Sequence, residues 1–252
     1  MVALARTDYP GGGTAPPLLV AHGLFGSGRN WGVICKRLSD RGPVVAVDMR
    51  NHGDSPHTDS HTYAELADDL AGVMDGRHDV LGHSMGGKAA MALALGRPDK
   101  VRRAVIVDIA PVAYDHSKAH LIAAMRALDP ADFQTRRDAD AAMAEHVRAP
   151  EVRAFLLQSL DIQNHRWKLN LDTLDAEMGR ITGWPDDMTG RFDGPALFLF
   201  GETSDYVTPA YHDRIRTIFP QARFETVAGV GHWLHAERPR EVEDRVRAFL
   251  DG

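Results

Sequence analysis

Gly82-His83-Ser84-Met85-Gly86 joins a short apolar run, Asp79–Leu81, to an Ala-, Met- and Leu-rich stretch, Met85–Leu95, that ends at Gly96-Arg97-Pro98. Few arrangements satisfy such a join. The chain must leave a buried strand, turn sharply and enter a buried helix within two or three residues. The flanking glycines remove the side chains that would collide in the turn, and the serine hydroxyl is left standing clear on a strained backbone. The helix that starts at Met85 aims its free amide groups and positive dipole end at whatever approaches that hydroxyl. A nucleotide loop overlaps the same residues, since Gly82 to Gly87 followed by Lys88 reads G-x-x-x-x-G-K. The next residue is Ala89, where a P-loop needs Ser or Thr for magnesium, so the nucleotide reading is set aside.

The rest of the chain supplies a setting for this turn. Leu18–Ala21, Val44–Val47, Ala104–Ile109, Ala196–Phe200 and Arg223–Val227 read as strands, several of them apolar on both faces. Strands apolar on both faces suit a sheet covered by helices on both sides. Between them lie helical patterns. Thr62 and Glu65 have capping-box spacing ahead of Leu66, Leu70, Val73 and Met74, and Val242, Val246, Phe249 and Leu250 form a final stripe. The alternation predicts an α/β fold with a mostly parallel, doubly wound sheet. From 112 to 191 the rhythm changes. Leu121, Ala124, Met125 and Leu128 form one helical stripe, Val152, Phe155, Leu156 and Leu160 another, and no strand signal interrupts them. This predicts a core made of residues 1–111 and 192–252, with a helical cap, residues 112–191, inserted between two of its strands. Gly11-Gly12-Gly13 reads as a surface turn.

A nucleophilic serine needs a base, an acid and donors for the oxyanion. His232, in Gly229-Val230-Gly231-His232-Trp233, follows the last strand on an uncrowded loop, and His235 is its local rival. The other histidines, such as His57, His61, His116 and His212, sit in polar segments and read as solvated. No His or Cys pair has a zinc spacing. Two aspartates at strand ends could orient the base: Asp108, leading straight out of a buried strand, and Asp205, after Ala196–Phe200. The oxyanion donors expected are the amide of Met85 and one from the loop His22-Gly23-Leu24-Phe25-Gly26-Ser27, with Leu24 preferred and Phe25 as the fallback. Asp48-Met49-Arg50-Asn51-His52-Gly53-Asp54-Ser55 reads as a sharp loop held by its own side-chain hydrogen bonds rather than as a binding site.

Composition removes other classes. The 252 residues carry 29 basic and 35 acidic side chains, a formal charge of −6, which disfavours nucleic acid and anionic membrane surfaces as partners. The N-terminal residues lack the charged and apolar regions of a secretory signal, and no apolar run approaches the ~20 residues of a membrane span. A cytoplasmic protein is expected. Cys35 is single, forms no intrachain disulfide and reads as a small core residue.

Five ordered blocks, His22–Ser27, Asp48–Ser55, Gly82–Met91, Val107–Val112 and Gly229–Pro239, resemble the α/β-hydrolase superfamily across essentially the whole chain. More narrowly they are similar to its compact bacterial carboxylesterases, which carry the GHSMGG nucleophile elbow. The resemblance implies a helical cap over the site and hydrolysis of short-chain carboxylic esters through an acyl-enzyme on Ser84. Thioester hydrolysis or acyl transfer to an alcohol would use the same residues, and a non-catalytic ligand receptor on this scaffold is a more remote alternative. In many relatives the acid follows the later strand, where the frame from Gly201 to Val207 places Ser204, with Asp205 one residue off. In the compact group the acid follows the earlier strand, which matches Asp108. The implied catalytic residues are therefore Ser84, Asp108 and His232, with Asp205 kept as the alternative acid. The implied substrate is a small-molecule ester, with no cofactor. Trp167, Trp184, Phe155 and Met125 are candidates both for an acyl pocket and for the core of the cap.

Overall fold

The computed structural model describes residues 1–252. Seven strands form the main sheet: β1 (Arg6–Tyr9), β2 (Leu18–Ala21), β3 (Val44–Val47), β4 (His78–His83), β5 (Val101–Val107), β8 (Ala196–Gly201) and β9 (Ala222–Val227). β6 (Leu160–Asp161) and β7 (Arg166–Trp167) pair separately as a two-stranded sheet. The order in the main sheet is β1-β3-β2-β4-β5-β8-β9, parallel throughout except for β1. The helices are α1 (Gly32–Leu38), α2 (Tyr63–Val73), α3 (Met85–Gly96), α4 (Ala119–Arg126), α5 (Arg136–Met143), α6 (Pro150–Leu156), α7 (Leu171–Ala176), α8 (Met178–Thr182), α9 (His212–Ile218), α10 (Leu234–Glu237) and α11 (Pro239–Asp251).

The two-residue period of the strands divides the core into two faces. Leu19, Ala21, Val80, Ala104, Ile106, Ala196 and Phe198 point to one side, where α2, α3 and α9 cover them. Leu18, Val20, Leu81, Val105, Val107, Leu197 and Leu199 point to the other, against Ile34 and Leu38 of α1 and Val242, Val246, Phe249 and Leu250 of α11. Each large aliphatic buried this way contributes roughly 1.5–3 kcal/mol. The double coverage makes the covered stretches of the central strands, such as Leu18–Ala21 and Ala104–Val107, apolar on consecutive residues rather than on alternate ones.

The capping box ahead of α2 forms as its spacing predicts: the Thr62 side chain accepts from the Glu65 amide, and the Glu65 carboxylate accepts from the Thr62 amide. Two elements were not legible. β1 is exposed and polar, and it is held by its antiparallel ladder to β3 rather than by side-chain burial, so it carries no apolar pattern. β6 and β7 interrupt the 112–191 segment, expected to be helical throughout, with a hairpin too short to leave a periodic signal. The remainder of that segment is α4 to α8 with two single-turn helices. No helix is long and apolar enough to cross a membrane.

Candidate active site

Ser84 stands between the end of β4 and the start of α3 with φ 53° and ψ −120°, a conformation that costs an L-residue of order 1–3 kcal/mol. The two glycines of the motif are required by contact. A Cβ on Gly82 would fall 2.1 Å from the Gly86 carbonyl oxygen, and one on Gly86 would fall 2.4 Å from the His22 carbonyl oxygen. The tight packing of α3 on β4 and β2 therefore holds the strained serine in place.

His232 is on the loop between β9 and α10, and its Nε2 lies 3.0 Å from Ser84 Oγ. Its Nδ1 lies 2.6 Å from Oδ2 of Asp108, which is fully buried. A carboxylate only accepts, so Nδ1 carries the proton and Nε2 is left to accept from the Ser84 hydroxyl. Asp108 sits just past β5 at φ 51° and is satisfied on both oxygens. Oδ1 accepts from the Gly201 amide at 3.1 Å, and Oδ2 also accepts from the Ser204 hydroxyl at 2.5 Å. The strand ends thus bring Ser84, His232 and Asp108 into one chain of hydrogen bonds. Asp205 is not part of it. One residue beyond Ser204, its side chain is exposed, while Ser204 turns inward onto Asp108. Tyr206 then stacks on the His232 ring, with centroids 4.1 Å apart, and confines its plane.

The loop after β2 is held by buried histidines. His22 donates from Nδ1 to the Gly23 carbonyl and accepts the Met49 amide at Nε2, 2.9 Å away. His52 donates from Nδ1 to the Arg50 carbonyl and accepts the Phe25 amide at Nε2, 3.1 Å away. Burial pushes the pKa of His22 down to about 4 and that of His52 to about 3, so both rings are neutral near pH 7. The second bond separates the two loop candidates for an oxyanion donor. The Phe25 N–H is committed to His52, whereas the Leu24 N–H and the Met85 N–H meet no protein acceptor. Gly23 lies against Ser84, where a Cβ would come 3.2 Å from Ser84 Cβ.

His52 shows that the Asp48–Ser55 loop does more than hold itself. It is self-bonded as expected: Asp48 accepts the amides of Gly28 and Asp54, and Gly53 adopts φ +60° against the Asp48 carboxylate. Through His52 it also supports Phe25. His61, expected to be solvated, is buried at 1% exposure, accepting from Asn51 at Nδ1 and facing Met85 Sδ from Nε2 at 3.2 Å. Polar neighbours in sequence gave no hint that Asn51 and Met85 would enclose it. His235, the rival base, stacks on Trp31 at 4.6 Å, and burial lowers its pKa to about 3. His83 is buried between His232 and His235 and donates from Nε2 to the His232 carbonyl. Cys35 is buried, its thiol pKa pushed up to about 12 by burial.

Above Ser84 lies a cavity of about 370 Å³, enclosed by core loops on one side and by residues of the 112–191 segment on the other. Of the four proposed pocket residues only Phe155 lines it. Met125 is fully buried core, and the indoles of Trp167 and Trp184 lie outside the lining. Lys88, one turn into α3, forms part of the cavity wall. Its ammonium donates to the carbonyls of Thr182, at 2.8 Å, and Gly183, which ties α3 to the end of α8, and burial lowers its pKa to about 7. No group of three or more His, Cys, Asp or Glu side chains is placed to hold a metal ion.

Residues 18–245 match the Alpha/beta hydrolase family. The chain belongs to this family. It is 41% identical to the sn-1-specific diacylglycerol lipase ABHD11 of Mus musculus over 95% of its own length and 82% of that protein's. It is 40% identical to Esterase YbfF of Escherichia coli, over 93% of each. Among solved structures it superposes on a marine microorganism esterase with a TM-score of 0.93 at 35% identity, covering 99% of this chain and all of the other. The match to a bacterial esterase along nearly the whole length agrees with the compact group that the five sequence blocks resemble. The chain is a serine hydrolase of the carboxylic ester class.

Proposed function

We propose that the protein hydrolyses short-chain carboxylic esters through an acyl-enzyme on Ser84. The observation that carries the proposal is the relay Ser84–His232–Asp108, with links of 3.0 and 2.6 Å, at the base of the cavity. His232 takes the Ser84 proton through Nε2 as Oγ attacks the ester carbonyl. The imidazolium that results faces the Asp108 carboxylate, and the developing oxyanion rests on the amides of Leu24 and Met85. His232 then returns the proton to the departing alcohol, and water, activated by the same nitrogen, releases the acid. Asp205 has no part in this scheme. Residues 112–191 act as the cap, and their side chains set what fits. At about 370 Å³ the cavity lies near the lower end of the range for small-molecule sites, which supports short acyl chains.

A p-nitrophenyl ester series from acetate to laurate tests this reading. The expected result is a kcat/KM that is highest for acyl chains of two to about six carbons and falls beyond them. A maximum at laurate would contradict the chain-length reading, and cleavage of none of the series would contradict the esterase reading itself.

A further inference from the structure

The charges around the cavity do not follow the charge of the chain. The protein carries a formal −6, yet the cavity lining contains no Asp or Glu. It contains instead Lys88, Lys118 and Arg148, together with His116, His120 and His146. Lys88 is committed to two carbonyls. The other two cations are free. Among the lysines only Lys168 lies in an ion pair, with Asp54, so Lys118 has no carboxylate partner although it is partly buried. The nearby Arg153 binds Asp140 and donates to the Arg148 carbonyl, while the Arg148 guanidinium itself meets no carboxylate. Asp205, whose field reaches Lys118 and His116, lies outside the lining, as do Glu145 and Glu151 on either side of Arg148 in sequence.

Two unpaired cations on the 112–191 side of a partly enclosed cavity, Lys118 partly buried and Arg148 exposed, favour an anion there, because charge-assisted bonds to carboxylate or phosphate form at unpaired Lys and Arg side chains and strengthen where water is partly excluded, as around Lys118. Building on the ester-hydrolase reading, we propose that the substrate ester carries an anionic group, carboxylate or phosphate, on the portion that lies under the cap, and that Lys118 and Arg148 receive it. The reaction centre stays that of a neutral ester. The cations add binding and selectivity rather than chemistry.

Two pairs of esters test the proposal and separate the two anions. The first is the p-nitrophenyl monoester of glutaric acid against p-nitrophenyl pentanoate, which differ by a carboxylate on the acyl part. The second is 1-acetylglycerol 3-phosphate against 1-acetylglycerol, which differ by a phosphate on the alcohol part, with acetate release followed at constant pH. In at least one pair the anionic member has the higher kcat/KM, by about tenfold or more. That ratio falls towards one in the Lys118→Gln/Arg148→Gln variant, and it shrinks when salt is raised from about 0.02 to about 0.5 M. The pair that shows the preference identifies the anion. If neither pair shows it, or if it persists unchanged in the double variant and in each single variant, the proposal is overturned. Cleavage of the neutral members reports separately on the esterase reading, so the two can fail independently.

Discussion

Replacing Asp108 by Asn changes one atom and leaves the side-chain volume intact, so the structure permits a sharp expectation. Asp108 accepts three hydrogen bonds: from the Gly201 amide on Oδ1, and from Ser204 Oγ and His232 Nδ1 on Oδ2. An asparagine can accept on only one of those atoms. If its oxygen faces Gly201, its NH₂ faces His232, which must then present Nδ1 as an acceptor and carry its proton on Nε2. In that tautomer the ring cannot take the Ser84 proton. If the amide is turned round, the buried Gly201 N–H meets an NH₂ group and loses its partner, at a cost of about 1–3 kcal/mol. The first orientation is cheaper because the Ser204 hydroxyl can rotate to accept. The expected result is a loss of about 10⁴-fold in kcat, the size of the same tautomer effect in trypsin-like proteases, with KM little changed. Asp205→Asn, altering an exposed side chain, should stay within about twofold of wild type. Steady-state hydrolysis of p-nitrophenyl butyrate by the two variants, each checked for folding by thermal unfolding, decides the matter. An Asp108→Asn variant that keeps more than a tenth of wild-type kcat, or an Asp205→Asn variant that loses more than Asp108→Asn, would refute the reasoning.

His52→Phe removes the acceptor of the Phe25 amide in a site with 0% exposure and should cost about 1–3 kcal/mol of stability in urea unfolding. It should also lower kcat by up to about 10²-fold if the Leu24 amide moves with the loop, and an unchanged kcat would show that the loop is held by other contacts. The buried histidines predict acid sensitivity. His22, at about 4, and His52 and His235, at about 3, are neutral in the folded protein, and burial holds His83 well below its ordinary value too. In the unfolded chain all four take up a proton near pH ~6.5. Stability is therefore fully present above that pH and is lost as pH falls below it, by up to about 1.4 kcal/mol per pH unit for each ring. Four rings acting together would consume a typical domain stability of about 5–15 kcal/mol within about one to three units. Urea unfolding between about pH 7.5 and about pH 5 should show this steep fall, and a flat profile would mean that the rings are not held neutral.

What the sequence makes legible follows from where the signal is concentrated. The strand–Ser84–helix turn could be read because Gly82 and Gly86 are imposed by backbone approach, and such contacts leave few residue choices. The doubly wound sheet could be read because strands covered on both faces carry consecutive apolar residues, as in Leu18–Ala21, Ala104–Val107 and Ala196–Phe200. β1 escaped because its ladder needs no particular side chains. The choice between Asp108 and Asp205 could be framed but not settled, since it depends on Ser204 turning inward from a loop whose path no local pattern fixes. His22, His52 and His61 were misjudged or overlooked for a related reason. Each is buried by residues distant in sequence, and a histidine's surroundings decide its charge and role more than its immediate neighbours do. The lining of the cavity was the least legible part. Large apolar side chains drew attention to Trp167, Trp184 and Met125, but the segment folds them elsewhere and places Lys118 and Arg148 at the cavity instead.

The central claim is that the Ser84 hydroxyl becomes acylated, and intact-protein mass spectrometry tests it most directly. Wild type, quenched in acid within the first turnovers on p-nitrophenyl acetate, should carry one acetyl group on the peptide containing Ser84, and a fluorophosphonate probe should label the same residue. Ser84→Ala should show neither adduct, with kcat lowered by about 10⁶-fold. An adduct on any other residue, or undiminished turnover in Ser84→Ala, would contradict the account.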